Sequence, residues 1–195
     1  MQKLKLYNAH CCGEIGDVIV AGNVNLKGNN TLEKSKFLLE DKKLRNFLLH
    51  EPRGGVFKHF NLLVAPTDKK AKAAFIIMEP EDNPPMSGSN SICVATVLLE
   101  KGIIEMTEPI TEFFLEAPGG IIPIKAFIEN KKVSFVEIHN LPSFVDKLDA
   151  KLQTPSFGEI IVSTVFGGDS FVICNAQDFD LTIKPDNAKK FVEIS

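Results

Sequence analysis

The sequence predicts an α+β chain in which a mostly antiparallel sheet is wrapped around one buried central helix. Three observations predict it. Strand-like segments dominate and do not alternate regularly with helices, which sets aside a doubly wound nucleotide fold. The stretch Ile92 to Leu99 is apolar on nearly every side (Ile92, Cys93, Val94, Ala95, Val97, Leu98, Leu99), and a helix without a polar face is buried all round. A second helical stretch, after Asn30, carries the marks of a surface helix.

In chain order, Lys3 to Asn8 alternates apolar and polar residues and reads as a strand, and Asp17 to Ala21 reads as a second. Gly22 to Asn30, rich in Gly and Asn, must turn. Asn30 followed three residues later by Glu33 is a capping box. Apolar positions at Leu32, Phe37, Leu38, Leu44, Phe47 and Leu48 then predict one helix, ended by Glu51-Pro52-Arg53-Gly54-Gly55. Leu62–Ala65 and Ala73–Met78 are strand-like. The breaker-dense segment Glu79 to Ser91 feeds the apolar helix, which Lys101-Gly102 stops. Strands are expected at Ile110–Glu116, Ile121–Glu129 and Val133–His139, the last two joined by a turn at Asn130-Lys131-Lys132. Glu159–Val165 and Ser170–Asn175 form a further pair across Gly167-Gly168-Asp169.

Composition narrows the function classes. The 195 residues are 44% hydrophobic and 24% charged, enough for a packed core. Net charge is −3, from 22 basic against 25 acidic residues, which argues against a nucleic-acid partner. No apolar run reaches the ~18 residues of a membrane span, and the first residues lack the apolar region of a signal peptide. The four cysteines (Cys11, Cys12, Cys93, Cys174) make a poor disulfide framework, so free thiols in a reducing, cytoplasmic compartment are expected.

Four segments carry candidate chemistry. Ser87-Gly88-Ser89-Asn90-Ser91 opens the buried helix, and a helix start presents unpaired N–H groups that favour a carboxylate or phosphate. Serines also cap helices with no ligand involved. The loop lacks the Gly-Lys-Ser/Thr ending of a phosphate loop. His10-Cys11-Cys12-Gly13-Glu14 suggests a metal, but a structural zinc takes about four ligands and no second pair follows, so none is expected. Arg53 is either part of a helix exit or held by a rigid turn to pair a carboxylate. Asp169 either follows a plain turn or holds a ligand amine. His50, His59 and His139 read as ordinary surface or core histidines, and Cys93 and Cys174 as small hydrophobes.

Taken in order, these segments resemble the proline racemase family, which includes 4-hydroxyproline epimerases and trans-3-hydroxyproline dehydratases and shares a diaminopimelate-epimerase-like fold. Asn8-Ala9-His10-Cys11-Cys12-Gly13-Glu14 resembles the family's Asp-x-His-x-x-Gly-Glu. Glu51-Pro52-Arg53-Gly54 matches its Glu-Pro-Arg-Gly, and Met86-Ser87-Gly88-Ser89-Asn90-Ser91-Ile92 resembles its Met-Cys-Gly-His-(Asn/Gly)-(Ser/Thr)-Ile. Ala117-Pro118-Gly119-Gly120, Asn140-Leu141-Pro142-Ser143-Phe144 and Phe166-Gly167-Gly168-Asp169 resemble three further family segments.

The resemblance implies a cofactor-independent isomerase or lyase acting at the Cα of proline or hydroxyproline. Two groups on opposite faces would transfer protons, as a hydroxyproline 2-epimerase or, by loss of a 3-hydroxyl, a dehydratase. It implies Ser87 as one acid/base group and Gly88, Ser89 and Asn90 around the substrate carboxylate. Asp169 would meet the ring nitrogen, with His10 and Arg53 supporting. The partner is then a small imino acid; a homodimer is left open.

The departures are specific. Ser87 stands where the family has Cys, Ser89 where it has His, and Asn8 where it has Asp. A hydroxyl is a poor unassisted base, so Ser87 is expected to donate and the base to lie on the opposite face. No Asp-x-x-Pro-Cys-Gly-Thr-Gly-type loop occurs in these residues. The expected organisation is therefore a catalytic lobe at 1–165 and the beginning of a truncated second lobe at 166–195, catalytically incomplete as given. The alternative is a non-catalytic relative or fragment that binds an amino-acid carboxylate.

Overall fold

The computed structural model describes residues 3–194. The chain divides into two compact units between Leu141 and Pro142. This division lies ahead of the boundary expected at 165/166. The reason is strand pairing: β9 (Phe144–Thr154), β10 (Gly158–Phe166) and β11 (Ser170–Cys174) form a sheet of their own in the order β11-β10-β9. Sequence periodicity missed β9 because nearly all its side chains are exposed, so no apolar alternation marks it. The second unit ends in two short 3-10 turns and α4 (Ala188–Ile194).

The first unit is one curled sheet around one helix. Its strands are β1 (Leu4–Tyr7), β2 (His10–Cys11), β3 (Glu14–Gly22), β4 (Lys58–Val64), β5 (Ala73–Met78), β6 (Ile110–Ala117), β7 (Gly120–Glu129) and β8 (Lys132–Ile138). They run in the order β1-β3-β4-β5-β6-β7-β8, with β2 hairpinned onto β3. Neighbours are antiparallel except β3/β4 and β5/β6. Those two pairs are the ones joined through helices, as a parallel pair requires a crossover. The first crossover holds α1 (Thr31–Leu39) and α2 (Lys42–Leu49); the second is α3 (Gly88–Glu100). Strands from both ends of the sheet, β2–β3 and β8, pack on α3, so the sheet closes round it.

Strand parity sorts the core into two layers. Val18, Phe75 and Ile77 point to α3 and share a cluster with its Val94 and Leu98 and with Leu115 of β6. Their neighbours Ile19, Ile76 and Met78 point to the other face and meet Leu38, Leu48 and Leu49 of α1 and α2. Buried on both faces, β5 reads as a continuous apolar run. Only Ile92, Thr96 and Glu100 of α3, spaced four apart, keep partial exposure beyond its first turn.

The single helix expected after Asn30 is two. Asn30 caps α1 as its motif predicts, accepting from Glu33 N–H at 2.8 Å. Asp41 then caps α2 by accepting from Leu44 N–H at 3.1 Å, which ends the first helix. The apolar helix likewise starts at Gly88 rather than Ile92, because Ser87 caps it.

Glu116 of β6 ties α1 and the β4–β5 loop to the sheet. It is buried and accepts from the Thr31 and Thr67 hydroxyls and from the N–H groups of Thr67 and Asp68 at 2.6 and 2.8 Å. Burial pushes this carboxyl up, but the bonds from Asp68, Thr31 and Thr67 together outweigh it and hold the group below its ordinary value. The stabilisation is therefore complete above the ordinary carboxylate range and is lost as pH falls through the lowered folded value. Glu116→Gln should cost about 1–3 kcal/mol at neutral pH and flatten the acid limb of stability. Thermal melts of both proteins at pH 7 and pH 4 check this; equal pH dependence refutes it.

Candidate active site at the start of the buried helix

The segment before α3 is clamped on both sides. Buried Arg45 of α2 donates to Asn83 Oδ1, to Glu79 O at 2.7 Å and to Pro80 O at 3.3 Å. Burial lowers this guanidinium from its ordinary value, an effect offset in part by Asp82 and Glu81. From the β6–β7 turn, Gly119 N–H donates to Pro85 O at 2.8 Å. The turn glycine expected at Ala117-Pro118-Gly119-Gly120 thus also anchors the helix entry.

Ser87 sits at the N-cap with an extended backbone (φ −142°, ψ 131°). Its Oγ accepts from Asn90 N–H at 3.4 Å and from Asn90 Nδ2 at 3.0 Å. A hydroxyl has two lone pairs and one proton. Ser89 Oγ lies 3.1 Å from the same oxygen, and either hydroxyl can donate to the other. Ser91 Oγ returns to Ser87 O at 2.6 Å.

The N–H groups of Gly88 and Ser89 take no partner from the described residues, and both residues are partly exposed. The family resemblance places Gly88, Ser89 and Asn90 around a carboxylate. The structure takes the Asn90 N–H for the cap and leaves those of Gly88 and Ser89 without a partner among the described residues at the positive end of α3. Asn90 instead lies buried behind Ser87 and orients it.

Behind Asn90 stand residues that sequence reasoning missed. Asn61 Nδ2 of β4 donates to Asn90 Oδ1 at 2.8 Å, and His59 Nδ1 lies 3.3 Å from Asn90 Nδ2. Glu14 and Glu79 each place an Oε1 3.5 Å from the same His59 nitrogen. His59 thus stands beside the start of α3. The available signal was parity: His59 and Asn61 alternate with apolar Phe60 and Leu62 and share the face that meets α3.

The remaining candidate positions have other partners. Cys12 and Gly13 both have positive φ and form the two-residue turn of the β2–β3 hairpin. His10 Nδ1 accepts from Gly13 N–H at 3.3 Å across that turn, and the side chain is exposed. Arg53 is exposed after α2, its guanidinium 4.4 Å over the Phe47 ring. Asn8 Nδ2 donates to Asp17 Oδ2 at 2.9 Å, and Lys58 pairs with that oxygen at 2.7 Å. Asp169 belongs to the second unit, in the β10–β11 turn, where its Oδ1 accepts from Ser170 N–H at 2.7 Å.

The thiols of the first unit differ in reach. Burial first, then the charges of Cys11, Glu14 and Asp17, pushes the Cys93 thiol up to about 12. Burial and the neighbouring Cys12 and Glu14 also raise Cys11. Only thiolate reacts, so iodoacetamide at pH 8 should label exposed Cys12 and Cys174 and spare Cys93 until the protein unfolds. Mass mapping of the labelled protein tests this; early labelling of Cys93 refutes it. Gly16 of β3 leaves the room that Asn90 occupies: a Cβ there would lie 2.8 Å from Asn90 Oδ1 and 3.0 Å from Cys93 Sγ. Gly16→Ala should destabilise by about 1–3 kcal/mol, read by denaturant melts; an unchanged midpoint contradicts the packing.

Comparison with known proteins gives a consistent result. The family model described as "Proline racemase" matches residues 6–195. A hydroxyproline epimerase from Agrobacterium vitis, solved with bound trans-4-OH-L-proline, is 40% identical with a TM-score of 0.86. A probable proline racemase from Agrobacterium radiobacter K84, solved with bound carbonate, is 38% identical with the same TM-score. Each match covers 98% of this chain and 57% of the relative, so the chain spans little more than half their length. A methylitaconate-delta-isomerase, 14% identical with a TM-score of 0.50, shares the fold.

Proposed function

The chain belongs to the proline racemase family of amino-acid racemases and epimerases, and we propose that the complete protein is a cofactor-independent isomerase acting at the Cα of hydroxyproline or proline. The observation that carries this reading is the α3 start, where the N–H groups of Gly88 and Ser89 take no partner from the described residues and follow directly on the Ser87 hydroxyl. The 40% identical relative that binds trans-4-OH-L-proline supports hydroxyproline as the substrate.

In this reading the substrate carboxylate accepts from the N–H groups of Gly88 and Ser89. The helix dipole adds about 0.3–2 kcal/mol there. As the Cα proton leaves, charge spreads into that carboxylate, so the same amides stabilise the carbanion. A base on the opposite face takes the proton, and Ser87 presents its own to the near face. Cys93 does not supply that base, because its thiol is buried and raised to about 12. Asp169 is assigned the ring nitrogen on its motif alone.

The test uses the complete protein in heavy water with trans-4-hydroxy-L-proline and with proline. Deuterium should enter Cα with inversion, and Ser87→Ala should lower inversion roughly a hundredfold. Trans-3-hydroxyproline tests elimination, whose product is a pyrroline. No exchange, inversion or elimination with any of these substrates would falsify the proposal.

A further inference from the structure

We propose that Cys11 and Cys12 are a redox-active pair: a small-molecule disulfide such as oxidised glutathione converts the two thiols reversibly into one intrachain disulfide, and closing that ring opens the end of the β2–β3 hairpin. The assignment stands apart from the reaction proposed above.

The two thiols are adjacent, free and unequal. Cys12 is exposed at the hairpin tip with φ 50°, and Gly13 beside it has φ 96°. Cys11 is half-buried and lies opposite Glu14 in the hairpin register. Opposed residues share a face of a sheet, and so do Glu14 and Gly16, two positions apart. A Cβ on Gly16 would touch Asn90 and Cys93, so Cys11 lies on the face that meets α3. Burial first, and then the Cys12 charge and a hydrogen bond from its side chain, raise the Cys11 thiol. The exposed Cys12 is therefore the first nucleophile, and Cys11 is the group that resolves. A resolving thiol on the next residue needs no access from solution.

In the first step the Cys12 thiolate attacks one sulfur of the small disulfide. A mixed disulfide forms on Cys12 and one small thiolate leaves. That removes the Cys12 charge and its hydrogen bond, two of the causes that raise Cys11. The Cys11 thiolate then attacks the Cys12 sulfur, the intrachain bond forms, and the second small thiolate leaves. The two thiol protons end on the two released small thiols, and the protein has given two electrons to the reagent.

Geometry makes the bond reversible. Adjacent Cα atoms stand ~3.8 Å apart across a trans peptide, short of the ~4.4–6.8 Å that an ordinary disulfide spans. The ring strains the backbone, and strained disulfides are the readily reduced ones. The chain can yield at this point. The strand β2 has two residues, held by the pairs His10↔Ile15 and Cys11↔Glu14, with the Gly13 N–H on His10 Nδ1 across the turn. Closing the ring breaks the Cys11↔Glu14 pair. Glu14 is the residue whose Oε1 stands 3.5 Å from His59 Nδ1, so the thiol pair is connected to the polar cluster behind Asn90.

The experiment incubates the complete protein with oxidised glutathione at pH 8, quenches it in acid and maps the thiols by mass. The expected product is a Cys11–Cys12 disulfide, two hydrogens lighter, that dithiothreitol reverses. Cys11→Ser keeps the attack and removes the second step, so a glutathione adduct on Cys12 should accumulate roughly tenfold above wild type. Cys12→Ser should leave Cys11 unmodified. Amide exchange read by mass should be faster over residues 10–15 in the oxidised protein than in the reduced one, and equal over α3. A wild-type protein that stops at the Cys12 adduct, or that joins Cys12 to Cys174 or to a second molecule, overturns the pair. A ring that forms with unchanged amide exchange overturns its effect on the hairpin.

Discussion

A helix buried on nearly all sides still begins with backbone donors that no helical carbonyl accepts, and in this protein those donors sit at partly exposed residues of its first turn. The first turn of α3 resolves them unequally. Ser87 accepts from Asn90, and the N–H groups of Gly88 and Ser89 take no partner from the described residues. The polar loop that precedes so apolar a helix follows from the same demand. Ser87, Asn90 and Ser91 bond among themselves at the start of that helix.

The surrounding architecture serves that helix start. Both helical crossovers force parallel pairing in an otherwise antiparallel sheet, and the second of them delivers α3 to its centre. Glycine at position 16 gives Asn90 its place beside β3. Arg45 and Gly119 fix the path of the chain from β5 to Ser87 from two different elements. The site is thus held by backbone carbonyls on one side and by a run of side-chain amides on the other.

Local signals read directly from the sequence were those that act over a few residues. The Asn30–Glu33 cap, the β5 run, the turn at Asn130-Lys131 and the all-round burial of Val94 to Leu99 each depend on neighbours within one turn or one strand. Misreadings came where a short-range competitor intervened. Asp41 capped a new helix inside an apolar period, and Ser87 capped α3 earlier than its hydrophobic pattern begins. The exposed strand β9 has no period to detect.

Taken alone, the sequence determined the class of fold, the buried helix, the ordered family segments and Ser87 as the side chain at its head, because periodicity and capping are written in adjacent residues. Tertiary structure alone decided which amides stay open, that Asn90 faces inward, and that His59, Asn61, Glu14 and Glu79 gather behind it. Those residues come from three strands or their ends, far apart along the chain. Only sheet register and strand parity, which depend on long-range pairing, bring them to one face of one helix.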